Sequence, residues 1–278
     1  MNGKERSKAF NKARREQLKT AVRLRKDTHA EIVRLLNQAE AQIKETLNNA
    51  PTDYEKWYLP QLQQQVSNAL KGIEAETVQQ VSHGVSQSWQ MGLDLVDKPI
   101  AAGGVQLAAM LPQVNTQQLM AMRAFSTDKI KDVSVSLINK INSELGLVTI
   151  GAQPVGNAVS NIQRLFDKQG RSRALTIVRT NLGQAFSVAT QKRQRQASEV
   201  LPGLQKQWRR SGKVHSRLEH DTIDGDIVPV DESFTLGNGV TLLHPRDPKA
   251  PAAEVINCGC ESLPWMEHWE VKHPGKKP

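Results

Sequence analysis

Along the first fifty residues, basic and apolar side chains recur at three- and four-residue spacing on opposite sides of a single helical wheel. At about 100° per residue, Lys8, Lys12, Arg15, Lys19, Arg23 and Lys26 fall on one stripe, with Phe10, Ala13, Ala21 and Leu24 opposite. The apolar side continues through Ile32, Leu35, Leu36, Ala39, Ile43 and Leu47, which predicts one amphipathic helix to about residue 48. Asn48-Asn49-Ala50-Pro51 ends it, because proline lacks the amide donor and disfavours helical geometry in the residue before it.

A short aromatic turn at Tyr54, Trp57 and Tyr58 follows. Helical period resumes from Gln61 through Leu62, Val66, Leu70, Ile73, Val81 and Val85, with interruptions expected at Gly84, Gly92 and residues 99–104. Asn115 is placed to cap a further helix carrying Leu119, Phe125, Ile130, Leu137, Ile138 and Ile141. Residues 146–154 read as a turn, and 155–166 and 173–198 as two more helices. Beyond Pro202 the period changes. Short runs such as Asp226-Ile227-Val228-Pro229-Val230 and Val240-Thr241-Leu242-Leu243, punctuated by Asp-Gly and Gly-Asn-Gly, predict short strands, with Gly225 supplying positive φ in a tight turn after Asp224.

The expected fold is mainly α: an elongated helical N-terminal body and a small C-terminal α+β module of short strands. Three parts are expected, a basic amphipathic helix at 1–50, a helical body at 51–202 and the module with its basic tail at 203–278. Composition agrees, since 38% of residues are hydrophobic but only five Trp, two Tyr and five Phe are present, favouring helices with aliphatic seams. No run approaches the roughly 18 apolar residues of a membrane span, and the start lacks the apolar stretch of a secretory signal. A protein without a membrane anchor, made in a cytoplasm, is expected.

The formal charge is +9, and residues 1–26 hold ten Lys or Arg against Glu5 and Glu16. Six cations along about 27 Å of helix suit phosphate tracking by counterion release, docking on an acidic protein surface, or simply a solvated helix face. A second cluster, Lys192, Arg193, Arg195, Lys206, Arg209, Arg210, Lys213 and Arg217, has Trp208 as its only aromatic, so base stacking on single strands is poorly supported.

The sharpest chemistry lies in Cys258-Gly259-Cys260 with His220 upstream. A bridge across one intervening residue closes a strained ring, so reduced thiols are expected. Cys258, Cys260 and His220 offer three zinc ligands, with His215, His244 or Asp224 as a fourth, although a one-residue gap is unusual for zinc. The structural alternative places both cysteines on one face of a terminal strand, packed as small apolar groups over a hydrogen-bonded His220. A catalytic alternative takes Cys258, His220 and Asp224 as nucleophile, base and orienter, but no activating helix N-terminus or oxyanion device is visible.

The order Arg217-Leu218-Glu219-His220, Asp224-Gly225, Asp231-Glu232-Ser233-Phe234, His244-Pro245-Arg246-Asp247-Pro248 and Asn257-Cys258-Gly259-Cys260 resembles the phage Mu F-like head morphogenesis family. Ile177-Val178-Arg179-Thr180-Asn181-Leu182-Gly183 is similar to an upstream helical element of that family, so the likeness covers about residues 145–262. Gly259 stands where the family usually has Arg, and Asn181 where it usually has Glu, so roles needing those charges are not carried over.

The resemblance implies a minor head protein acting in procapsid assembly at the portal vertex, inside the virion capsid. Its implied partners are the portal protein, the scaffold or major capsid protein, and packaged double-stranded DNA, whose retention or ejection it would influence. Arg179 and Thr180 are then expected to tie their helix to the module. No enzymatic activity is implied, and the roughly eighteen residues after Cys260 are too few for an appended toxin domain. An independent non-specific DNA-binding protein and a Cys/His-based enzyme or effector remain as alternatives.

Overall fold

A computed structural model describes residues 1–49, 59–212 and 216–266. The expected aromatic turn at Tyr54, Trp57 and Tyr58 lies outside the described residues, as do Lys213 and His215. The first helix, α1, runs from Gly3–Asn48, and Asn2 opens it: its side chain accepts the Glu5 amide while Glu5 accepts the Asn2 amide, both at 2.9 Å. Along it Phe10, Ala21, Ile32, Leu35, Ala39, Ile43 and Leu47 are buried, as the wheel predicted.

Helix α2 spans Leu59–Ala102 and runs unbroken through Gly84 and Gly92, where interruptions were expected, ending within the expected 99–104 stretch. Gly84 and Gly92 sit inside it, and Pro99 falls close enough to its end that little of the hydrogen-bond ladder is lost. The helix stops at Gly103 and Gly104, the latter at φ 99°. A short α3 (Leu107–Met110) leads to α4 (Gln117–Thr149), where the Asn115 side chain accepts the Gln117 amide at 2.8 Å. Ile130, Leu137 and Ile141 are buried on α4, whereas Phe125 is exposed. Helix α5 (Val155–Leu165) continues through one π turn (Phe166–Arg171) into α6 (Ser172–Ser198).

The strands follow. β1 (Leu204–Arg209) is central in an antiparallel sheet ordered β2-β1-β5, with β2 at Ile227–Pro229 and β5 at Glu261–Met266. β3 (Phe234–Thr235) and β4 (Thr241–Leu242) form a separate two-stranded ribbon. Single helical turns α7 (Leu218–Asp221) and α8 (Ala252–Val255) lie between strands. The fold is therefore mainly helical with a small strand module after Pro202, and no helix among the described residues is long and apolar enough to cross a membrane.

Packing divides the chain differently from periodicity. One compact unit gathers Met1–Arg25, Gly84–Met122 and the chain from Arg179 onward; the other gathers Lys26–His83 and Arg123–Val178. The boundaries drawn from the sequence near 50 and 202 follow breaks in pattern, while the first unit unites α1 with the strands in one core: Phe10 packs with Val96, Ile100, Leu107, Ala197, Leu204, Val230 and Met266. In the second unit, buried Leu62, Val66, Leu70 and Ile73 of α2 and Ile130, Val133, Leu137 and Ile141 of α4 supply the seams, and Arg171 ties the π turn to Glu40 of α1 at 3.0 Å.

Two glycines of α2 have opposite roles. A Cβ at Gly92 would collide with the Phe186 carbonyl and lie 2.8 Å from Ala189 Cβ, where the backbones of α2 and α6 meet and Thr190 Oγ1 donates to the Gly92 carbonyl at 3.0 Å. Gly72 has nothing within 4 Å. Gly72→Ala should raise unfolding stability by about 0.5–1 kcal/mol through helix propensity. Gly92→Ala should lower it by about 1–3 kcal/mol through overpacking. Urea unfolding of the two variants checks the sign of each change.

Candidate functional site

Trp208 of β1, fully buried, organises the module from its centre. Its indole N–H donates to the His220 carbonyl at 2.9 Å and its ring meets the imidazole edge-on at 5.6 Å, fixing α7 against the sheet. The turn after α7 closes through backbone bonds between Trp208 and both Gly225 (2.9 Å) and Asp226 (2.8 Å), with Gly225 at φ 96° as the sequence predicted. The Asp224 carboxylate accepts the Arg210 amide at 2.9 Å and the Arg209 guanidinium at 3.3 Å. It anchors this turn and is neither a ligand nor a triad member.

On the other side, the turn after α8 passes through Asn257, whose φ of 57° redirects the chain and whose amide donates to Thr180 Oγ1 at 3.2 Å. The cysteines follow in the segment just before β5, not on the strand itself. Their sulfurs converge on one nitrogen: His220 Nδ1 is 3.5 Å from Cys258 Sγ and 3.6 Å from Cys260 Sγ. His220 Nε2 is 2.8 Å from Glu254 Oε2, and Glu254 Oε1 accepts the Asn238 amide group at 3.0 Å. Beside the sulfurs lies a cavity of about 240 Å³ lined by Ser211, Ser216, Arg217, His220, Asn257 and the Cys258–Cys260 loop.

The electrostatics follow from this crowding. The Cys260 thiol hydrogen bond, with further help from His220 and Arg246, lowers the Cys258 pKa to about 4 against the cost of burial. Cys260 is pushed up, first by sharing that proton with Cys258 and then by burial. Burial opposes an imidazolium at His220, but its bonds to Cys258 and Glu254 outweigh this and raise its pKa. Burial also opposes the Glu254 carboxylate, yet the bonds from His220 and Asn238 hold its pKa below the usual value. His220, Cys258 and Cys260 place their ligand atoms within 4.8 Å of one another, a cluster able to hold a metal ion.

Behind the cluster stands Arg246, buried and at φ 62°. It donates to the Cys258 carbonyl at 3.0 Å, to Ser187 Oγ at 2.6 Å and to Glu261 Oε2 at 2.6 Å, while Arg25 of α1 reaches Glu261 Oε1 at 2.7 Å. Gly183 on α6 makes room for it, since a Cβ there would lie 2.9 Å from Arg246 Cδ.

The sequence-predicted residues thus separate by role. Arg217 donates to the Ile256 carbonyl at 2.7 Å and holds α7 to the cysteine loop. Thr180 makes the expected tie between helix and module, and Arg179 is exposed. His244 cannot be the fourth ligand: it is buried, its Nδ1 lies 3.0 Å from the Pro245 carbonyl, and it is outside the cluster. The second basic cluster is largely consumed by ion pairs: Arg193 with Asp97 at 2.6 Å, Arg195 with Asp231 at 3.2 Å, Arg209 and Arg210 with Asp224. Lys8, Lys12, Arg15, Lys19, Arg23 and Lys26 are all exposed.

Glu254, Asn238, Arg246, Gly183 and Glu261 were not singled out as site residues by sequence reasoning. Asn238 and Arg246 lie in the Gly-Asn-Gly and Pro-rich runs, which signalled a turn but not a hydrogen bond to a residue distant in the chain.

No family profile and no solved structure matches this chain. It is similar to an NAD(+)–arginine ADP-ribosyltransferase, EFV, of Enterococcus faecalis, at 33% identity over 111 residues, which are 39% of this chain and 22% of that protein. It is also similar to the uncharacterized protein YqbB of Bacillus subtilis, at 37% identity over 100 residues, 35% of this chain and 32% of that one. The similarity therefore spans about a fifth and a third of the lengths of these curated relatives.

Two outcomes are expected. Glu261→Gln leaves Arg246 buried without its counter-charge and should cost about 3–5 kcal/mol of stability, read by urea unfolding. Lys206 is buried on β1, its ammonium donating to the Leu243 carbonyl at 2.6 Å, and burial above all lowers its pKa to about 8 against the pull of Asp231, Asp247 and Glu232. Between pH 8 and its unfolded value of 10.5 the unfolded chain binds more protons than the folded one. Stability from this group therefore rises with pH across that window. The difference in unfolding free energy between wild type and Lys206→Met should climb from about pH 8 to 10.5, and a flat difference would show that Lys206 does not titrate there.

Proposed function

We propose that this chain is a phage minor head protein that acts in head assembly at the portal vertex, inside the capsid. One observation carries the reading: α1 divides its cations between two jobs. Arg14 and Arg25 point inward, Arg14 donating to Gln207 at 3.4 Å and to the Pro264 carbonyl at 3.2 Å, and Arg25 pairing with Glu261. Lys8, Lys12, Arg15, Lys19 and Arg23 point outward at three- and four-residue intervals. The inward pair fastens the helix to the sheet, so about 22 Å of cationic ridge is presented to a polyanion without the ordering cost of a mobile arm. Packaged double-stranded DNA and the acidic surface of a portal protein are both suitable partners, with scaffold or major capsid protein as further neighbours.

The fate of the motif residues supports assembly over catalysis. Arg217, Asp224, Thr180 and Asn257 are engaged in contacts that hold the module together, although Arg217 and Asn257 also line the cavity beside the sulfurs. ADP-ribosyl transfer belongs to the transferase named above, and the similarity covers 22% of it. We assign the shared segment an assembly role and this chain no transferase activity.

Co-expression with a portal protein of the same phage, followed by size-exclusion chromatography and mass measurement at low and high salt, tests the reading. Co-elution that weakens with salt is expected, and neutralising Lys8, Lys12, Arg15, Lys19 and Arg23 together should reduce it along with duplex binding. Duplex affinity should fall steeply with salt in the wild type and lose most of that slope in the variant. Absence of portal association at both salts would move the assignment to a free-standing DNA-binding protein. Labelling of an arginine substrate from NAD would overturn the non-enzymatic assignment.

A further inference from the structure

Hydrogen bonds within the cluster can hold His220, Cys258 and Cys260 together, and the same geometry suits a shared metal ion. A neutral imidazole offers one N–H and one lone pair, and Nε2 faces the Glu254 carboxylate at 2.8 Å. That leaves a single Nδ1 site facing two sulfurs at nearly equal distances, 3.5 and 3.6 Å. Two thiolates and one imidazole nitrogen bound to a shared ion would sit this way. With zinc–sulfur bonds of about 2.3 Å and zinc–nitrogen bonds of about 2.05 Å in a tetrahedron, sulfur and nitrogen ligands lie about 3.6 Å apart.

Surrounding groups fit the same ion. Glu254 accepts from the far ring nitrogen and is itself fixed by Asn238 at 3.0 Å, the support that orients a metal-bound histidine and selects its tautomer. The left-handed Asn257 and the Arg246 bond to the Cys258 carbonyl hold the loop so that both sulfurs face inward.

We propose that His220 Nδ1, Cys258 Sγ and Cys260 Sγ bind one zinc ion, with an exchangeable water from the adjacent cavity as fourth ligand. Thiolate and imidazole donors select zinc over magnesium or calcium, which require oxygen ligands. Binding takes both sulfurs as thiolates and Nδ1 unprotonated, and releases to solvent whatever protons these three atoms carry. Among the described residues Asp224 and His244 are excluded as the fourth ligand by their own contacts, and the cavity of about 240 Å³ beside the cluster has room for water. The ion staples α7 to the chain entering β5, joining positions 38 and 40 residues apart. This assignment does not depend on the assembly role, since it rests on the geometry of His220, Cys258 and Cys260 alone.

The test uses the full chain purified from zinc-supplemented cells. One zinc per chain is expected by mass spectrometry, and replacement by cobalt(II) should give the intense visible bands of a tetrahedral site together with thiolate charge-transfer absorption. Cyanide should shift the visible bands if the fourth ligand is exchangeable; bands indifferent to small anions would refute that part. Iodoacetamide should modify Cys258 and Cys260 at least tenfold faster after chelation. His220→Ala and Cys258→Ser should lose the charge-transfer signal, but because either variant can misfold, the wild-type readouts decide. A folded chain that holds no zinc, develops no cobalt spectrum and alkylates at the same rate with and without chelator would overturn the proposal.

Discussion

A single carboxylate held between two arginines fixes the architecture of the first compact unit. Glu261, at the start of β5, receives Arg246 on one oxygen and Arg25 on the other, all three largely removed from water. Burying one guanidinium is unfavourable unless its charge and donors are matched, so the geometry of three distant segments is specified together. Arg246 further engages Ser187 on α6 and the Cys258 carbonyl, passing that constraint to the cysteine loop. Gly183 is required where it is because any side chain would occupy the space of the Arg246 stem.

From this constraint follows the division of labour on α1. A purely amphipathic helix would bury only its apolar stripe, yet here Arg14 and Arg25 are drawn inward while neighbouring cations stay in water. The inward arginines supply direction that apolar contacts lack, because guanidinium bonds require matched acceptors at fixed angles. The outward row is thereby held in a defined orientation, the property on which the proposed contact with DNA or portal rests.

The module itself is too small to rely on apolar burial alone. Its core of Trp208, Ile223, Phe234, Leu236 and Leu242 closes directly on the two cysteines, and its strands are two to six residues long. Small domains commonly add covalent or metal staples, and the His-Cys-Cys cluster sits at the point where one would be most useful. Similarity to two proteins over little more than a hundred residues each suits a segment used in more than one protein context.

The sequence determined the helices and the turns, because these are local. Periodicity located α1, α4 and α6, Asn115 marked a cap, and Gly225 marked a left-handed turn, each set by residues within a few positions of one another. It also identified His220, Cys258 and Cys260 as a group from their chemistry. Tertiary structure alone decided the rest. β1 reads Leu204-Gln205-Lys206-Gln207-Trp208-Arg209, a polar run by composition, and becomes the central strand because Lys206, Gln207 and Arg209 find acceptors far away in the chain. Helix α2 passes through Gly72, Gly84 and Gly92, and α6 packs close against the last of them. Glu254, not the nearer Asp224, faces His220 because pairing of distant polar groups depends on where the folded chain brings them, which sequence spacing does not encode.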